Sequence, residues 1–175
     1  MCVCSCCAGR GLEEVEALYT RIAQEVDLSG PTSFAPLIYR AIDIVRESGN
    51  SYHILLIIAD GQVTNEAQTI KAIVEASKYP LSIIMVGVGD GPWGTMKQFD
   101  DKLPQRQFDN FQFVNFEDTK KRVRDRASLW STPKLSSLTH TRNIGMQATA
   151  MAANLEAAVA LTALMEIPDQ FQIIR

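Results

Sequence analysis

Four cysteines, Cys2, Cys4, Cys6 and Cys7, crowd the first seven residues of this 175-residue chain and are its only thiols. Thiols so close together could clip a metal, form a redox site or carry reversible palmitoyl chains. No helix or strand pattern holds them, and residues 1–11 read as a disordered, Cys-rich start. They cannot staple the body of a fold, which excludes a secreted disulfide scaffold. The two histidines offer no nucleophilic set, since His53 lies in an apolar run and His140 in an irregular stretch. Neither has a Ser or Cys partner spaced for a triad. Gly87-x-Gly89 stands where a dinucleotide fingerprint begins, but Pro92 takes the place of the third glycine and leaves a turn. Lys120-Lys121-Arg122, with Arg124 and Arg126, could meet an anionic lipid head group or serve as a nuclear address. Asp118 and Asp125 dilute that charge, so the stretch reads as a solvated linker and gives membrane association only weak support.

The elements that must position any site alternate. Leu12–Val26 carries Val15, Leu18, Tyr19, Ile22, Ala23 and Val26 on one helical face. Ser33 is placed to cap a second helix with Pro36 in its first turn, a stripe of Phe34, Leu37, Ile38, Ala41, Ile42 and Val45, and a stop at Gly49-Asn50. Tyr52–Ala59 is a near-continuous apolar run, the pattern of a strand buried on both faces, and Asp60-Gly61 closes it. A helix over Asn65–Lys78 turns Ala67, Ile70, Ile73, Val74 and Ser77 inward, and a second buried strand succeeds it at Leu81–Val88. A short helix at Trp93–Lys102 and a strand at Phe111–Phe116 complete the alternation, which requires crossovers and a parallel sheet. Residues 120–146 read as an irregular insertion or linker. Residues 147–175 read as a closing helix and tail, with Ile167-Pro168 ending the helix.

Composition narrows the class. Apolar residues make up 46% of the chain and charged ones 21%, with a net charge of -3. That suits one soluble α/β domain and argues against a nucleic-acid partner, which would need clustered cations. No apolar run approaches the roughly 18–20 residues that cross a bilayer, and Met1–Gly11 lacks the basic-then-apolar order of a secretory signal. The expected location is intracellular: cytoplasm or nucleus, or the periphery of the plasma membrane.

Three separated blocks carry more than pattern. Ser29–Ile38, Tyr52–Gly61 and Leu81–Gly91 resemble the von Willebrand factor A-type domain of copines. Asp90-Gly91-Pro92-Trp93, the stretch Phe108–Phe116 and Ala163–Gln170 bring the chain closest to the plant-type RING ubiquitin ligases that carry a copine-like domain. The resemblance spans Leu12–Thr119 and Asn154–Gln172 and leaves out Met1–Gly11 and 124–153. It implies a partial doubly wound (Rossmann-like) fold, with residues 12–119 as an N-terminally incomplete A domain lacking its first-half strands.

Such domains hold a divalent cation through an Asp-x-Ser-x-Ser motif, a Thr and a second Asp. Thr32 matches the Thr and Asp60 the second Asp, while the Asp-x-Ser-x-Ser motif is absent. Asp27-Leu28-Ser29 imitates its start, but Pro31 replaces the second Ser. One hydroxyl and one carboxylate fall short of the oxygen shell of Mg²⁺ or Ca²⁺, so no cofactor is expected unless the missing ligands are present. Asp60 then caps its turn with Gly61. A RING is excluded because four cysteines and two histidines cannot fill two four-coordinate zinc sites. The resemblance thus implies a non-catalytic protein-interaction module, acting in substrate or partner recognition for ubiquitination. The alternatives are a fragment of a calcium-dependent phospholipid-binding copine, or a non-functional truncated product. Trp93 is either an apolar anchor for a protein partner or a core residue packed with Met96 and Phe99.

Overall fold

A computed structural model of the chain describes residues 11–25, 33–61, 63–101, 103, 106–130 and 155–174, with backbone alone at 101 and 126–130. Two compact units result, Met1–Thr32 and Ser33–Arg175. The first unit contributes helix α1, Leu12–Glu25, with Glu13 and Glu14 in its first turn, where acids complement the amino-terminal dipole. Its expected apolar stripe forms but none of its residues is buried, and Val15, Tyr19 and Ile22 are exposed. Val26 lies outside the described residues.

The second unit is built on three strands, β1 (His53–Ala59), β2 (Leu81–Gly87) and β3 (Phe111–Asn115), in the order β1-β2-β3 and wholly parallel. Parallel neighbours need a crossover, and helices supply it: α3 (Glu66–Ala76) joins β1 to β2, and α4 (Gly94–Asp101) joins β2 to β3. Helix α2 (Ala35–Glu47) precedes the sheet; α5 (Phe116–Trp130), α6 (155–164) and α7 (Ile167–Ile174) come after it. This is the partial α/β fold of von Willebrand factor A type that the resemblance implies.

Local chemistry sets the ends. Pro36 sits in the first turn of α2, yet Phe34 holds the capping position and makes no side-chain bond. Ser33 Oγ, expected to cap, has no partner among the described residues. Gly49 and Asn50 end the helix at φ 73° and 60°, the left-handed conformation that releases a chain from a helix. Helix α3 starts where Asn65 Oδ1 accepts the Gln68 N–H at 3.3 Å. Its buried face is Thr69, Ala72, Ile73 and Ala76, with Ser77 buried just after it and Ile70 packed on the core as expected, while Ala67 is exposed. Thr69 tolerates burial because its hydroxyl donates to Asn65 O at 3.0 Å.

One sheet face packs on α2, α3 and α4 through Ile57, Leu81, Ile83, Met85, Phe111 and Phe113, which meet Ile38, Ile42, Val45, Ala72, Ile73, Met96 and Phe99. β2 is buried on both sides, as its apolar run requires. β1 is not, and this corrects the expectation for Tyr52–Ala59. Ile54, Leu56 and Ile58 are 45%, 56% and 66% exposed, because β1 is an edge strand and the polar anchors of α7 and the turn before it reach Ser82 of β2 and Gln112 of β3.

Those anchors are specific. Ser82 Oγ, buried in β2, donates to Gln170 Oε1 of α7 and lies 2.6 Å from Tyr52 Oη. Gln112 of β3 lies against Glu166, and with its amide turned so that nitrogen faces the carboxylate it donates to Glu166 Oε1 at 2.8 Å. Tyr52 and Phe171 meet edge to face at 5.2 Å. Ile167-Pro168, read as a terminator, instead opens α7 after a two-residue turn, since proline is tolerated in a first turn.

The irregularity expected from Lys120 is also corrected, as far as Trp130: α5 is helical from Phe116. Asn115 Oδ1 accepts the Asp118 N–H at 3.1 Å, and Thr119 Oγ1 bonds Asn115 O. Asn115 is a helix cap, and its spacing from Asp118 was the available signal. The polar face of α5 hid its period.

Candidate functional site

The register sets Ala59, Gly87 and Asn115 level at the carboxyl ends of the three strands. The segments leaving these three residues therefore form one rim, the position where open α/β sheets place ligand-binding loops. After β1 comes Asp60, exposed, while Val88 N–H ties the next loop back to Ala59 O at 2.9 Å. After β2 the turn Gly89–Pro92 projects Gly89, Asp90 and Pro92 into solvent, with Gly89 and Gly91 at φ 82° and 84°. After β3 comes α5.

Trp93 does not stand on this rim as an anchor. It is 7% exposed, packs against Phe113 with ring centroids 5.6 Å apart, and belongs to the core with Met96 and Phe99. Of its two expected roles the structure shows the core one. A side chain at Gly87 would lie 3.0 Å from the indole and one at Gly91 2.8 Å from it, so both glycines exist to admit the ring. The Trp93 indole N–H has no partner among the described residues. Trp93 is a strut beneath the Gly89–Pro92 turn.

Beside the turn, α3 and α4 are joined by Thr95 Oγ1 donating to Glu66 Oε1 at 2.8 Å. Helices α4 and α5 flank a cleft of about 480 Å³ lined by Lys97, Asp100, Phe113, Asn115, Asp118, Lys121, Arg122 and Asp125. Its charges answer one another. Lys97 lies 3.8 Å from Asp118, Asp100 Oδ1 accepts the Phe113 N–H at 3.0 Å, and Arg122 donates to Thr119 Oγ1. The basic run expected to be a linker is thus part of helix α5. A cleft with three cations and three carboxylates offers no net attraction for an anion.

Among the described residues no three His, Cys, Asp or Glu side chains converge to hold a metal. Asp60 is one exposed carboxylate, and Thr32, its expected companion, lies outside the described residues, as do Cys2, Cys4, Cys6, Cys7 and His140. Described ligands alone do not fit a six-oxygen shell. His53 is half-buried and bonds the Ser51 carbonyl at 2.7 Å, a local structural contact.

A parallel α/β domain of A type, with acidic loops on one rim over a buried aromatic strut, is the class that fold and site define. The copine family model matches residues 5–175, and the chain belongs to the copine family. The match runs through 124–153 and starts at residue 5, so the resemblance reaches further than its motif blocks suggested. Among curated relatives, the chain is 51% identical to E3 ubiquitin-protein ligase RGLG5 of Arabidopsis thaliana, over 93% of this chain and 34% of that protein. It is 48% identical to E3 ubiquitin-protein ligase RGLG4 of the same plant, over 93% of this chain and 37% of that protein. It is also 48% identical to Copine family protein 2 of Caenorhabditis elegans, over 94% of this chain and 2% of that one. The chain thus spans about a third of the plant relatives' length. No helix among the described residues is long and apolar enough to cross a membrane.

Proposed function

We propose that the chain is the protein-interaction module of a copine-like protein of the ubiquitin-ligase branch, recognising a substrate or partner without catalysing transfer itself. The observation that supports this best is the carboxyl rim, where Asp60, Asp90 and Pro92 are exposed on loops that a rigid sheet and a buried Trp93 hold in place. Exposed polar loops on a rigid scaffold are where binding residues concentrate. The ligase name belongs to relatives whose other two thirds this chain does not span, and any transfer chemistry of theirs would have to be carried there. On this reading no Mg²⁺ or Ca²⁺ is needed for recognition, and either would require oxygen ligands beyond Thr32 and Asp60.

Quantitative co-precipitation decides it, comparing wild type with an Asp60→Ala/Asp90→Ala double variant and with Lys71→Ala, an exposed control on α3. Loss of about tenfold of the captured partner for the double variant alone is expected, equivalent to about 1.4 kcal/mol of binding. Equal capture by all three would move the interaction surface off this rim. The likeness to copine family proteins keeps one second reading, a calcium-dependent lipid-binding fragment. Calcium-dependent sedimentation with phosphatidylserine vesicles, in place of any protein partner, would favour it.

A further inference from the structure

A buried hydrogen-bond chain crosses the sheet under α7 and meets a titratable group. It starts at Tyr52 Oη, 2.6 Å from Ser82 Oγ, and passes to Gln170 Oε1, which accepts the Ser82 hydroxyl. Gln170 Nε2 then donates to Glu166 Oε2 at 3.3 Å, and Gln112 of β3 meets the same carboxyl from its other side. Ser82, Gln170 and Gln112 are 1%, 4% and 8% exposed, while Glu166, in the turn before α7, keeps partial access to water. Burial pushes the Tyr52 hydroxyl above its usual 10, so it stays protonated at neutral pH and below. Glu166 is therefore the member of this chain that exchanges a proton with solvent there.

The Gln112 amide has partners in both of its orientations. With nitrogen toward the carboxyl it donates to Glu166 Oε1 and Oε2 at 2.8 and 3.1 Å, a pairing that suits the carboxylate. With oxygen toward the carboxyl, two oxygens face each other across the same gap, and a proton on Glu166 is needed to join them. Nε2 then faces Phe113 O at 3.5 Å. That carbonyl lies on the outer edge of β3, where the Phe113 N–H already leaves the ladder for Asp100 Oδ1. We propose that Glu166 and Gln112 form a proton-operated latch on α7, in which the Gln112 amide reverses as Glu166 gains or loses its proton.

The surroundings decide which state holds the helix harder. Burial is the main cause that raises the carboxyl above its usual 4.5, and repulsion from Asp109 in the segment before β3 and from Asp100 of α4 adds to it. Arg106 opposes them, but it is paired with Asp109, and its Nη1 is buried with no partner among the described residues. Among those residues β3, α6 and α7 face Glu166 with no further charge; Gln112 and Gln170 bring amides alone. A neutral carboxyl is free of both the burial cost and the repulsion. The latch is thus tight in acid, and it loosens as pH rises through the folded-state midpoint.

The test is a pH titration of the full chain by NMR, reading the Gln112 side-chain amide and the Glu166 carboxyl carbon, with hydrogen exchange over Gln170–Ile174. Both signals should turn at one midpoint above 4.5. On the acid side, the α7 amides should gain about threefold protection relative to their intrinsic exchange rates. Glu166→Gln should abolish both responses and keep the acid-like protection at every pH. Should that variant lose its fold, Asp109→Asn on an exposed position carries the test. It removes repulsion and releases Arg106, so the shared midpoint should fall. A Gln112 amide that stays flat while Glu166 titrates would overturn the proposal. So would α7 protection that falls in acid, or that follows pH equally in Glu166→Gln. Partner capture through Asp60 and Asp90 is read separately, so failure of one does not count against the other.

Discussion

The two faces of the sheet are held by different physics. Toward α2 and α3 the contact is apolar volume: Ile38, Val45, Ala72, Ile73, Leu81, Met85 and Phe111 are all at most 1% exposed. Toward α6 and α7 it is a seam of side-chain pairs, Ser82 with Gln170 and Gln112 with Glu166, beside one aromatic contact of Tyr52 with Phe171. Apolar volume supplies free energy but little positional instruction, since many registers bury similar area. Buried polar pairs supply little net energy but penalise every misplacement, because a shifted helix strands its donors and acceptors. The first face makes the domain stable, and the second fixes where its last helix sits.

Substitutions should separate these roles. Phe111→Ala removes a fully buried ring from the apolar face and should cost about 3–5 kcal/mol in denaturant unfolding. A loss below about 1 kcal/mol would mean that the face is loosely packed. Gln170→Ala leaves the Ser82 hydroxyl with Tyr52 alone and should cost about 1–2 kcal/mol. It should also free Phe171, read as altered near-ultraviolet dichroism of Tyr52. Unchanged dichroism would show that the seam does not position α7.

The smallest effect is the pH dependence of Glu166. Burial is the main cause that pushes its carboxyl above the usual 4.5, with Asp109 and Asp100 adding repulsion, against smaller opposing help from Gln170 and Arg106. A carboxyl raised by folding adds stability that is full below the unfolded value and lost as pH rises through the folded one. Glu166→Gln should therefore gain slightly on wild type above that window, and the gain should shrink toward zero below pH 4.5. A gain that grows in acid would contradict the sign.

Much of this was legible in the chain. Apolar runs at Tyr52–Ala59 and Leu81–Val88, separated by helical periods, dictate a parallel sheet, and Asp60 falls at a strand's carboxyl end as its position after an apolar run requires. Three things were not legible. An apolar run does not say how many of its faces will be covered, so the open side of β1 was invisible. The stripe of α3 held for Ile70, Ile73 and Ser77 but missed Thr69, which satisfies its hydroxyl locally and can enter a core. Helix α5 was hidden by its charge, since a helix whose exposed face is mostly Lys, Arg and Asp shows weak amphipathic period. Trp93 marks the limit for the site, because residue type alone does not distinguish an anchor from a strut.

Trp93 and the two glycines packed against it also constrain the order in which this sequence can drift. An alanine at Gly87 meets the indole and Phe113 at about the closest distance that real side chains show, and one at Gly91 also meets a backbone turned to φ 84°. Either glycine can gain a side chain only after the ring has shrunk, while the ring can shrink first and leave only a void. Substitution at these three positions is a ratchet with one passable direction, and Gly91, held by its own backbone as well, is the last to move.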